Sequence, residues 1–80
     1  MLRLTKETTL APAEILERAS SFFGKGGLGL EETDRTSCCV IFEGGGGHVS
    51  VTVVQEDNRR TADIETREWE YQVKQFMGKL

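Results

Sequence analysis

The stretch HVSVTVVQEDNRRTADIE, residues 48–65, constrains this chain more than any other segment. Val49, Val51 and Val53 alternate with Ser50 and Thr52, and Ala62 and Ile64 alternate with Thr61, Asp63 and Glu65. That period of two is the signature of strands with one buried face. A two-residue turn at Asp57-Asn58 sets Val53 opposite Ala62 and Val51 opposite Ile64, and it leaves Ser50 facing Glu65 and Thr52 facing Asp63. One register therefore sorts apolar from polar across the hairpin.

The same test works one hairpin upstream. A loop formed by Gly44 to Gly47 pairs Phe42 with Val49, Val40 with Val51 and Cys38 with Val53, which sends all six to the core face. Further back, a three-residue loop or bulge around Thr33 to Arg35 sets Leu30 and Leu28 beside Cys38 and Val40, whereas a two-residue loop would insert Glu31. Leu2 and Leu4 alternate near the start, so residues 2–9 are expected to supply one more strand.

Two segments follow the helical period instead. Pro12 suits a first turn, Ile15, Leu16, Ala19, Phe22 and Phe23 form one stripe, and Gly24 is a stop signal, which predicts a helix over 12–23. Trp69, Val73, Phe76 and Leu80 recur at i, i+4, i+7 and i+11, with Thr66 as the expected N-cap. The expected fold is thus a single α+β domain over residues 1–80, in the order β-α-β-β-β-β-α. Its twisted antiparallel sheet has two helices packed on one face.

The closing stretch RRTADIETREWEYQVKQFMGKL, a strand leading directly into an amphipathic terminal helix, resembles the helix-grip class of START-like and polyketide-cyclase-like domains. That resemblance implies an apolar small molecule or lipid held between the sheet and the C-terminal helix. The residues placed to line such a space are Phe22, Phe23, Phe42, Trp69, Val73 and Phe76; as plain core, the same side chains would fill it. The strand and helix order is also similar to the TATA-box-binding-protein-like half domain, a likeness that informs fold and not function.

Charge and length narrow the function classes. A net charge of −3 argues against a generic phosphate-backbone binder, and the expected open face carries Asp63 and Glu65 where a nucleic-acid sheet would be basic. No apolar run is long enough to span a bilayer, and the chain reads as cytoplasmic. Eighty residues give a thin core, which disfavours a large enclosed site. Cys38 and Cys39 are adjacent, so an extended segment would point them to opposite faces as free thiols, and with only His48 nearby they cannot complete a zinc site.

GKGGLG at 24–29 has the G-x-G-x-x-G spelling of a dinucleotide site, but there a strand precedes the glycines and a helix follows them. Here the order is reversed. His48, Ser50 and Glu65 share the open face and could form a polar cluster, but a solvated sheet face explains the same residues and is the favoured reading. Ile41 on that face and Tyr71 on the terminal helix are the candidate interaction residues. Together these features lead to the expectation of a non-catalytic interaction module, with a homodimer as the expected assembly, no cofactor and no metal. A small apolar-ligand binder is the alternative.

Overall fold

Both hairpins that alternation demands are present in the computed structural model, which describes residues 1–80. The elements run β1 (Leu2–Thr8), α1 (Pro12–Phe23), β2 (Glu31–Arg35), β3 (Cys39–Gly44), β4 (Gly47–Glu56), β5 (Arg59–Arg67) and α2 (Glu70–Met77). The five strands form one antiparallel sheet in the order β1-β5-β4-β3-β2. Across its centre Val53 faces Ala62, Val51 faces Ile64, Val40 faces Val51 and Phe42 faces Val49. Residues 2–8 pair within the chain, from Leu2 opposite Thr66 to Thr8 opposite Arg60.

Both helices cover the same face, α1 over β3 and β4 and α2 over β5. Beneath α1 lie Ile15, Leu16, Ala19 and Phe23, and α2 buries Val73, Phe76 and Met77. These side chains close over Val49, Val51 and Val53 of β4 and Ile64 of β5 into a single cluster. Each fully buried Val or Phe in it contributes about 1.5 to 3 kcal/mol relative to exposure. Phe23 sits at the middle, with ring centroids 5.7 Å from Phe42 and 5.2 Å from Phe76.

The loop after α1 explains its glycines. Gly24, Leu28 and Leu30 donate their backbone N–H groups to the Ser20, Phe22 and Phe23 carbonyls at 2.9, 3.0 and 2.8 Å. A Cβ at Gly27 would collide with the Phe22 carbonyl, so glycine lets the chain fold back onto the helix end. In GKGGLG the amides of Gly24 and Leu28 are thus consumed by the last turn of α1, together with that of Leu30 just beyond.

Four sequence expectations are corrected. The strand at β2 is EETDR, exposed throughout, with Glu32 opposite Phe42, Arg35 opposite Val40 and a bulge between Glu32 and Asp34. Leu30 does reach the core, from the loop, while Leu28 is 38% exposed. The charges at this edge are tolerated because they bond to the outer side of α1: Arg35 contacts Glu17 at 2.7 Å, and Ser20 donates to Glu32 at 2.9 Å.

Thr66 is not a helix cap but a buried strand residue, whose hydroxyl donates to the His48 carbonyl at 2.8 Å. The strand runs on to Arg67, and α2 starts only at Glu70, with Trp69 in the capping position.

Cys38 does not join the core; it is exposed in a bend. Nor are the cysteines free thiols, since Cys38 and Cys39 are joined as a disulfide. Alternation sends neighbours to opposite faces only in extended backbone, and the bend at 37–38 removes that condition.

Candidate functional site

The sheet has one uncovered face and two unpaired edges. On the uncovered face, cross-strand partners form rows: Arg3, Glu65, Ser50, Ile41 and Asp34 in one, and Thr5, Asp63, Thr52 and Cys39 in the next. Ile41 is half-buried on β3, one strand in from the β2 edge of this face. Tyr71, 68% exposed, rides on α2 behind the covered face. The two interaction candidates therefore lie on opposite sides of the sheet and cannot belong to one contact surface.

His48 and Glu65 approach to 3.9 Å, Nε2 to Oε1, and Glu65 lies directly across from Ser50. The cluster expected on the open face thus exists in space. No hydrogen bond links Ser50 to His48, the contact that a nucleophile and its base would share. Arg3 instead binds Asp63 through both Nε (3.0 Å) and Nη2 (2.6 Å). Those hydrogen bonds, then the Asp63 charge, raise the affinity of the guanidinium for its proton. No group of three or more His, Cys, Asp and Glu side chains is arranged to hold a metal ion, and no helix is long and apolar enough to cross a membrane.

The aromatic set has a different fate. Phe23, Phe42 and Val73 are fully buried, and Phe76 is nearly so. They pack against one another, and none of the five surface depressions is lined by Phe23, Phe42, Trp69 or Val73. Phe22 and Phe76 do reach a groove of about 390 Å³ between the two helices, with Glu14, Glu17, Arg18 and Lys79 on its rim. Trp69 turns toward the β3–β4 turn, where its indole N–H meets the Gly44 carbonyl.

The edges differ sharply. Strand β2 is short, bulged and composed of charged and hydroxyl side chains, the usual devices that keep an edge from pairing. Strand β1 is a regular seven-residue edge, LRLTKET. Its one lysine is drawn onto the covered face, where Lys6 Nζ donates to the Met77 carbonyl at 2.9 Å. Arg3 and Glu7 flank Thr5 on the open face at equal distances along the strand. In the sequence this pattern is the arrangement R-x-T-x-E over residues 3–7, within the segment expected to supply one more strand.

No family model, no curated protein and no solved structure matches the chain.

Proposed function

We propose that this chain is a non-catalytic interaction module that self-associates by pairing β1 of one copy with β1 of another. The carrying observation is the self-complementarity of that edge. An antiparallel pairing about Thr5 places Arg3 of each copy opposite Glu7 of the other, Thr5 opposite Thr5, and Leu2 opposite Thr8. Opposite charges at directly facing positions stabilise such a pair by about 0.2 to 1 kcal/mol each. A twofold arrangement uses the contact twice and continues the five-stranded sheet into a second copy.

The uncovered face is a poorer surface for self-association. Glu7, Asp34, Glu43, Glu56, Asp63 and Glu65 outnumber Arg3, Arg59 and Arg67 there, so two such faces repel. Sedimentation velocity over a dilution series tests the proposal. The expected result is a reversible shift from monomer to dimer with rising concentration, and a single 8.9 kDa species throughout would refute it.

A second reading, a small apolar ligand or lipid chain, draws support from the groove at Phe22 and Phe76. Titration with a fatty acid, followed by NMR shifts of the Phe22 and Phe76 rings, tests it. Unmoved resonances would remove that reading.

A further inference from the structure

The bend between β2 and β3 presents two adjacent sulfur atoms, and they are not equivalent. Cys38 is exposed and Cys39 is half-buried beside Thr52. The Cys38 N–H donates to Thr36 Oγ1 at 3.4 Å, and the same oxygen lies 3.5 Å from Cys38 Sγ. With its oxygen accepting from the amide, the Thr36 hydroxyl has its own proton to direct at that sulfur. The backbone around the pair is held from both sides: Thr36 N–H bonds to the Cys39 carbonyl, and Val53 N–H to the Cys38 carbonyl, each at 2.8 Å.

We propose that Cys38 and Cys39 form a thiol–disulfide exchange site, with Cys38 as the attacking thiol and Cys39 as the resolving thiol, acting on low-molecular-weight disulfides. In the reduced protein the Cys38 thiolate attacks one sulfur of a disulfide R–S–S–R. The S–S bond breaks, one RS⁻ leaves, and a mixed disulfide Cys38–S–S–R forms. The Cys39 thiolate then attacks Cys38 Sγ and expels the second RS⁻, which closes the Cys38–Cys39 disulfide. Two electrons pass from the protein to the small disulfide, and the two RS⁻ groups take up the protons lost by the cysteines.

Two features assign the roles. Exchange requires an accessible thiolate, and only Cys38 combines exposure with a hydroxyl within 3.5 Å of its sulfur, a donor available to a thiolate there. Cys39 is the neighbouring residue and is the sulfur joined to Cys38 in this structure, so it is the thiol placed to resolve the mixed disulfide within the same chain. The bracing backbone bonds do not involve sulfur, so opening the S–S bond removes none of them directly.

The test uses the reduced full chain and oxidised glutathione, with acid quenching, maleimide alkylation and intact-mass analysis. Wild type is expected to lose two hydrogens and release two glutathione molecules without accumulating an adduct. Cys39→Ser should trap one glutathione on Cys38, and Cys38→Ser should form its adduct severalfold more slowly. Adding Thr36→Val to Cys39→Ser should slow trapping severalfold while the far-ultraviolet circular dichroism stays unchanged. Lasting adducts on both wild-type cysteines would overturn the proposal. So would equal trapping rates in the two cysteine variants, or a Thr36→Val change without effect.

Discussion

The indole Nε1–H of Trp69 donates to the Gly44 carbonyl at 2.9 Å, tying the entry of α2 to the β3–β4 turn 25 residues earlier in the chain. The ring lies against that turn closely enough that a Cβ on Gly45 would come within 2.8 Å of it. Both turn glycines have positive φ, 59° at Gly45 and 79° at Gly46, but Gly46 has open space around its Cα. Gly46→Ala is therefore expected to cost only the backbone term, about 1 to 2 kcal/mol, and Gly45→Ala that plus displacement of the indole. Urea unfolding of the two variants checks the order, and equal losses would show that Trp69 does not press on the turn.

Removing the indole donor leaves the Gly44 carbonyl without this partner. Trp69→Phe should lower stability by about 1 to 3 kcal/mol, and amide exchange should quicken at the β3–β4 turn before it does in the β4–β5 hairpin. Hydrogen exchange by NMR resolves the two regions. A uniform increase would contradict a local tie.

Phe76→Ala opens a void where Phe22, Phe23 and Phe76 meet, with ring separations of 5.0 to 5.5 Å. The expected cost is about 3 to 5 kcal/mol, a large part of the roughly 4 to 12 kcal/mol that a domain of this size possesses. Tyr71→Ala, on the outside of the same helix, should stay within about 0.5 kcal/mol of wild type. Thermal unfolding of the pair measures the contrast, and a comparable loss at Tyr71 would mean that its ring is held by a partner.

Thr66→Val keeps the shape of a fully buried side chain but deletes its bond to the His48 carbonyl. A loss of about 1 kcal/mol is expected from denaturant titration. An unchanged midpoint would indicate that the β4–β5 ladder alone satisfies that carbonyl.

The sequence made the centre of the sheet legible because burial on one side enforces alternation there. Val49, Val51, Val53, Ala62 and Ile64 have one register that keeps them all covered, and the structure adopts it. Helix α1 was equally readable, since Pro12 and Gly24 bracket a single apolar stripe. Edge strand β2 was not, because it buries nothing and no pattern is demanded of EETDR. Thr66 looked like a cap because its buried bond to a carbonyl 18 residues away leaves no local trace. At the candidate site, the open-face partners followed from register alone, but the diversion of Lys6 toward Met77 depends on where α2 ends. That contact draws the one lysine of β1 toward the covered face.

Pairing of two β1 edges about Thr5 is tested most directly by charge complementation in sedimentation equilibrium. Arg3→Glu and Glu7→Lys each place like charges opposite one another in a homodimer, whereas one copy of each restores opposite charges at every Arg3 and Glu7 position. Wild type and the equimolar mixture should dimerise alike, and each variant alone should remain at the monomer mass, with circular dichroism confirming that both are folded. A wild type that stays monomeric at every concentration, or variants that associate alone as wild type does, would contradict the account.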